Sequence, residues 1–428
     1  MMTSEVLMDR FPSASRFTRG RLLVVVGVAA AAMPLTACGT TNNFTTGLTD
    51  VSLSSSAAST PKSTATLTFT PALGDTAVVP GSGLKVVADK GRITSVKVVN
   101  ATGNPVKGAL STDNRSWVAN DQLTGYGSKY VVAVTAVDRE GITTTTREQV
   151  RTLVPEHTSG IAGVDPSPNT TFGAGIPITV TFDDPVENKA AVEKHLVVLT
   201  SKPVVGAWRW LSDTQAQFRP KTYWPGKIHI VVKAQLVGVQ MSPGVWGDRN
   251  HTYAFTTYDS IVGLVNMRKH TLVVRQNGKV IRTIPITTGK PGFETRSGVK
   301  VVMTKERNRI MDAATGGTDP TSPEYYRLNV EYAMRLTWSG EFLHAAPWSE
   351  GSQGYDNVSH GCTGMSTDNA AWLYGISHLG DVYEYVGNDK QMGTGDNGIT
   401  VWNVKWADWL KDSKAGEVTT SWVSGSSQ

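Results

Sequence analysis

Apolar residues in this chain alternate with polar ones in short runs far more often than they recur every third or fourth position. Between residues 64 and 153, β-branched runs at Thr66–Thr70, Leu84–Ala88, Ile93–Val99 and Tyr130–Thr135 are broken by turn residues at Pro80-Gly81, Gly103-Asn104-Pro105 and Glu140-Gly141. A period of two, with no helical period, predicts a β-sandwich there. Residues 154–257 repeat the theme, with strands at Ile176–Phe182 and Ile228–Lys233 and one or two helical turns at Ala190–His195. Gly81–Val87 weakly parallels Gly173–Thr179, and Gly127–Val134 parallels Pro225–Val232, so the two modules read as a duplication. Neither holds a nucleophile–base cluster. They read as a spacer, or as a glycan-binding surface built on Trp208, Trp210 and Trp224, whose other reading is core packing.

The third region, 258–388, opens on two apolar runs flanking Asn277-Gly278, which predicts a hairpin with a two-residue turn. A strand follows at Val299–Met303. Residues 312–324, rich in Gly, Thr, Pro and Ser, read as a loop, with Ile310-Met311 before it as a core pair or the base of a lid. Ser366 to Gly380 has the cap and glycine stop of a helix, and Asp381–Val386 forms a closing strand. The fold class is therefore mainly β: two immunoglobulin-like sandwiches, then a β-rich domain with a short helix. The tail, 389–428, carries Trp402, Trp406, Trp409 and Trp422 and is expected to pack on that third domain.

Composition adds a compartment. The chain has 428 residues, 39% hydrophobic and 18% charged, which suits about three soluble domains. Its formal charge is +5, and residues 1–37 hold four Arg against Glu5 and Asp9, so the remaining 37 basic and 34 acidic residues leave +3. That is too dispersed to argue for nucleic acid. Arg10, Arg16, Arg19 and Arg21 precede an apolar run, Leu22 to Ala32, too short to span a bilayer. The run ends in Leu35-Thr36-Ala37-Cys38, which resembles a bacterial lipobox. The resemblance implies cleavage before Cys38, a diacylglyceryl group on its sulfur, and anchoring on the outer face of the cytoplasmic membrane, facing the cell wall. The other reading is an ordinary signal peptide with a chance cysteine. Residues 38–63, rich in Thr, Ser, Asn and Ala, read as a flexible tether. The two cysteines could form one disulfide, but each has its own explanation.

Candidate chemistry concentrates in Phe342–Met365. Cys362 is the only thiol outside the first 40 residues, and it lies eighteen residues after His344 and two after His360. A thiol attacks carbonyls as thiolate, so it needs a base or a positive neighbour, and imidazole titrates near neutral pH. Gly361 admits a substrate close to the sulfur and leaves nearby N–H groups free for an oxyanion. Alone, Cys362 reads as an inert buried thiol and His344 as a satisfied core histidine; their spacing turns both toward catalysis. His360 reads equally as structural. His270 and His378 read as surface or helix-end residues. A metal site on His344, His360 and Cys362 is allowed by ligand type but lacks a carboxylate or second thiol at ligand spacing.

His344, the step to Ser359-His360-Gly361-Cys362, the Val265–Leu272 opening and the Ile310-Met311-Asp312 run together resemble an L,D-transpeptidase catalytic domain. The order of lipobox, two sandwiches and catalytic domain resembles the mycobacterial members. The resemblance implies that Cys362 is the nucleophile, His344 the general base and His360 a supporting histidine. Oxyanion donors would be backbone N–H groups around Gly361 and Cys362 with the Tyr326 hydroxyl, Tyr325 being the neighbouring candidate. Ser359 and Thr363 flank that site, and Met311 and Trp348 match positions lining the substrate cleft. Two positions depart from the family pattern: Ala345, often Ser, and Gly364, commonly Asn. The implied reaction is 3→3 cross-linking of peptidoglycan stem peptides through a cysteine thioester, with no cofactor, no metal and no ATP. Carbapenem β-lactams are the implied covalent inhibitors. Other branches of the family attach proteins or exchange D-amino acids. A sortase is the nearest rival but needs an Arg soon after the cysteine, and none occurs between Cys362 and Lys390. The competing class is a peptidoglycan-binding lipoprotein without turnover.

Overall fold

Strand alternation carries through to the tertiary structure. The computed structural model describes residues 61–72, 74, 77–395, 397–420 and 422, so the segment read as an export signal, Cys38 and most of the stretch read as a tether lie outside the described residues. In Lys129–Val137, Tyr130, Val132, Val134 and Ala136 are buried and the residues between them are less so. This strand joins Ala77–Val78, Thr143–Thr152 and Arg92–Asn100 in one four-stranded sheet. The second sheet holds Thr66–Thr70, Lys85–Asp89, Ser116–Ala119 and Gly108–Leu110. Val86, Ile93, Trp117, Leu123 and Val134 fill the space between, as a sandwich requires.

The second module is also a sandwich. Asn250–Thr257, His229–Gln235 and Leu196–Thr200 form most of one sheet, and Ile178–Phe182, Gln215–Pro220 and Val204–Trp210 the centre of the other. The helical turn falls at Lys189–Lys194, capped by the Asn188 side chain. Trp208, Trp210 and Trp224 are all buried, and their indole N–H groups donate to Leu196 O, Glu193 Oε2 and Ile176 O at 2.9, 3.0 and 2.7 Å. They are core residues, and the glycan-binding surface read on them is corrected. Each indole found its hydrogen-bond partner inside, so nothing drives it to the surface.

The tail is a second correction, because it packs on the second sandwich as well as on the third domain. Asn403 bonds the N–H and carbonyl of Val299 in the third domain. Beyond it, Val418–Thr420 pairs antiparallel with Val204–Gly206 and extends the sheet of the second sandwich. Trp409 is buried and donates to Ala207 O at 3.1 Å. The Arg219 guanidinium lies 5.0, 5.0 and 4.6 Å from the rings of Trp402, Trp406 and Trp409. Glu193 accepts from Ser413 Oγ and from the Lys414 and Ala415 N–H groups. An open strand edge and a buried cation both need partners, and the tail supplies them.

In the third domain, Lys279–Pro285, Thr271–Gln276, Ile261–Asn266, Val382–Val386 and Gly298–Val301 form a five-stranded sheet in that order. Asn277 and Gly278 turn the hairpin with φ of 49° and 81°, both left-handed, as a type I′ turn needs. The other sheet runs Thr304–Asp312, Arg327–Arg335, Phe342–Ala345, Thr363–Met365. The helix Thr367–Ile376, capped by Ser366, packs on its two middle strands. Val265, Leu272, Ile284, Met334, Leu343 and Leu373 are among the core residues between the sheets and helix. Gly173 and Gly175 of the second sandwich donate to Leu379 O and Gly380 O, each at 2.7 Å. A Cβ on Gly173 would lie 2.4 Å from the Asp381 nitrogen, so only glycine allows this approach.

Candidate active site

The parallel strands Phe342–Ala345 and Thr363–Met365 pair with His344 opposite Gly364. Side chains two apart share a face, so Cys362, just ahead of its strand, projects to the side that His344 occupies. There they line one cavity of about 320 Å³ together with His360, Tyr326, Met311, Trp348 and Ser359. A larger hollow of about 890 Å³ against the second sandwich contains no thiol. Thr363 is not in the cleft. It is buried on the opposite face, where its hydroxyl meets the Tyr385 hydroxyl at 2.8 Å, so a direct substrate contact for its side chain is corrected. The period of two already places residues 362 and 363 on opposite sides.

Cys362 is a free, partly buried thiol. It donates to Gly340 O at 3.5 Å. Burial pushes its pKa up to about 11, against a downward pull from the Phe342 backbone. His344 Nδ1 lies 2.7 Å from Ala345 O. A carbonyl only accepts, so Nδ1 carries the proton and Nε2 is left bare. Burial lowers the His344 pKa. The missing serine hydroxyl after the base is thus replaced by the backbone carbonyl of Ala345, and the ring stacks on Trp348 with centroids 6.0 Å apart. Both resting groups are neutral, a base and an acid lining the same cleft.

His360 is engaged elsewhere. Its Nε2 lies 2.6 Å from Glu324 Oε2, an oxygen that also takes Lys290 Nζ at 2.6 Å. Its ring packs against Phe293 and Tyr326, with centroids 4.5 and 4.9 Å away. A ring nitrogen committed to a carboxylate suits support rather than proton abstraction. Sequence reasoning missed Glu324 and Lys290. Glu324 sits at the end of a stretch read as loop, and nothing local marks it as the partner of a residue 36 positions away.

The turn before the nucleophile is held from several sides. Ser359 Oγ donates to Cys362 O at 2.7 Å and accepts the Gly361 N–H at 3.1 Å. Thr295 Oγ1 donates to Gly361 O at 2.8 Å. Gly361 has φ of 120°, which L side chains rarely adopt, so the backbone itself demands glycine. Its N–H, spent on Ser359, is not the open oxyanion donor expected. Tyr326 lines the cleft, and burial above all pushes its pKa up to about 12, so it remains a donor at neutral pH. Met311 is buried at the cleft base, and Trp348 is 59% exposed at its mouth.

Gly364 has a packing reason. A Cβ there would lie 2.8 Å from Ala346 Cβ and 3.1 Å from Thr287 Cγ2. Gly364→Asn is expected to lower stability by about 1–3 kcal/mol through overpacking, measured by thermal melting. A melting temperature unchanged from the parent protein would show that the strands separate freely here.

The family model of the bacterial Ig domain matches residues 75–240, and that of the L,D-transpeptidase catalytic domain matches residues 260–386. L,D-transpeptidase 2 of Mycobacterium tuberculosis is 34% identical over 349 residues, covering 82% of this chain and 84% of that protein. L,D-transpeptidase 1 of the same species is 38% identical over 228 residues, covering 53% of this chain and 85% of that protein. A solved structure of an LD transpeptidase in complex with imipenem is 38% identical and covers 54% of this chain and 100% of its own, with a TM-score of 0.44.

Proposed function

Because this chain belongs to the L,D-transpeptidase family, we propose that it forms 3→3 cross-links between peptidoglycan stem peptides through a thioester on Cys362. The observation that carries the reading is a thiol and an imidazole with a bare Nε2 lining one cleft. Cys362 attacks the carbonyl joining the L-centre of a stem's diamino acid to the terminal D-Ala. His344 Nε2 takes the thiol proton as the C–S bond forms. Tyr326 and the Cys362 N–H serve as the oxyanion donors in this reading. The C–N bond breaks, the protonated His344 returns its proton to the departing D-Ala amine, and a thioester remains. The side-chain amine of a second stem then attacks this carbonyl, His344 accepts its proton, and the sulfur leaves and is reprotonated. One peptide bond is exchanged for another, so the step consumes no external energy source.

His360, held by Glu324, supports the wall of the cleft behind Tyr326. The apolar packing of Met311, Val330 and Phe342 around Tyr326, Leu328 and Cys362 limits water at the thioester. A β-lactam of the carbapenem class acylates the same sulfur. The lipid anchor at Cys38 places the domain outside the cytoplasmic membrane, at the wall it modifies.

Mass spectrometry of a disaccharide-tetrapeptide incubated with the protein tests this. A cross-linked dimer with loss of one D-Ala is expected. Tripeptide alone, or exchange of the terminal residue for an added D-amino acid, would assign a different acceptor. Unchanged tetrapeptide would leave a binding protein.

A further inference from the structure

Lys300, Glu341 and Arg296 form a buried charge cluster that lies outside the cleft lining and that the reaction above does not use. Lys300, on the strand Gly298–Val301, has no exposed side-chain surface, and its Nζ lies 2.8 Å from Glu341 Oε2. The same ammonium sits 3.8 Å from the centroid of the Tyr385 ring. Glu341 Oε1 takes Arg296 Nε at 3.1 Å and the Arg296 N–H at 3.2 Å. Two routes lead from this cluster to the nucleophile. Glu341 follows Gly340, whose carbonyl receives the Cys362 thiol at 3.5 Å. The Tyr385 hydroxyl bonds Thr363, the residue after Cys362, at 2.8 Å.

A carboxylate taken out of water is costly unless it is paired, and Glu341 is 8% exposed. The electrostatic sense is also definite. Glu341 disfavours the thiolate of Cys362, whereas Lys300 and Arg335 favour it. Arg296 completes the charges around Glu341, and Tyr326, His344 and His360 share the cleft with Cys362. We propose that Lys300 is a positioning residue for Cys362: by pairing with Glu341 it holds that carboxylate in place and leaves no unopposed anion behind the sulfur. Burial lowers the Lys300 pKa to about 8, with Glu341 supporting the cation, so Lys300 is charged at pH 7 and loses its charge as pH rises through that value.

The proposal rests on Cys362 being the reactive thiol, but its test needs no stem peptide and no turnover. The folded chain is alkylated with iodoacetamide between pH 6.5 and 9.5 and followed by the mass of the peptide that carries Cys362, with thermal melting to confirm folding. Lys300→Met is expected to slow alkylation about tenfold at pH 7, one pKa unit's worth, with the gap closing above pH 8 as the wild-type ammonium discharges. The double variant Lys300→Met/Glu341→Gln is expected to recover to within about threefold of wild type, because the anion is removed with its partner. A Lys300→Met profile that overlays wild type, or a double variant as slow as the single, overturns the proposal. If Lys300→Met does not fold, Glu341→Gln decides: alkylation at least as fast as wild type supports it, and slower alkylation overturns it. Loss of cross-linking with these alkylation rates intact would instead count against the enzymatic reading.

Discussion

Cys362→Ala is expected to lower cross-linking by about four to six orders of magnitude, the scale seen when a covalent nucleophile is removed, while leaving the protein folded. The sulfur is partly buried at the cleft floor, and its side-chain hydrogen bond is a long one, to Gly340 O at 3.5 Å. Its neighbours in the apolar wall, Met311, Val330 and Phe342, pack largely on one another. Replacing it with a methyl group removes the bond-forming atom and little of the packing. The check is twofold: turnover of a stem tetrapeptide, and intact mass after exposure to a carbapenem. The parent protein should gain one acyl group and the variant none. An adduct that persists in Cys362→Ala would move the chemistry to another residue.

His344→Ala should cost about 10²–10⁴-fold near neutral pH, the usual contribution of a positioned base. The reason lies in the opposite shifts of the two partners. Burial lifts the thiol to about 11 and depresses the imidazole, so a thiolate–imidazolium pair is disfavoured at rest. The proton must therefore move during attack, to a base already in place. The sign of the pH dependence follows. A depressed His344 pKa keeps the base neutral below the ordinary 6.5, so the acid limb of the parent's profile lies below that value. Without His344, acylation depends on free thiolate, which increases tenfold per pH unit below about 11. The variant's rate is thus expected to climb steadily from pH 7 to 10, where the parent's profile is flatter. A flat profile in His344→Ala would show that another group, such as His360, takes the proton.

That His360 is the weaker base candidate comes from its partner. Its Nε2 is held by Glu324, which Lys290 also grips; these two hydrogen bonds depress the Glu324 pKa and keep the carboxylate charged. The spacing of the two histidines around Cys362 was visible in the chain and the resemblance divided their roles, but the physical cause of that division was not visible. It depends on which ring nitrogen is free, and that is set by Ala345 O for one ring and by a carboxylate from a distant loop for the other.

Short-range physics was written in the order of residues. Alternating apolar positions specified the two sandwiches, Asn277-Gly278 specified the turn its φ angles now show, and Ser366 marked the start of the helix it caps. The spacing of Cys362 from His344 and His360 marked a candidate site, the family resemblance named His344 as its base, and adjacent parallel strands bring Cys362 and His344 to one face. Only the tertiary structure attached the tail to the second sandwich, and set Glu324 on His360 and Lys300 against Glu341. Local periodicity and turn chemistry act over a few neighbouring residues, so the chain announces them. A hydrogen bond or ion pair between distant segments exists only after strands have paired and buried the charges that must meet, and no run of neighbours records that meeting.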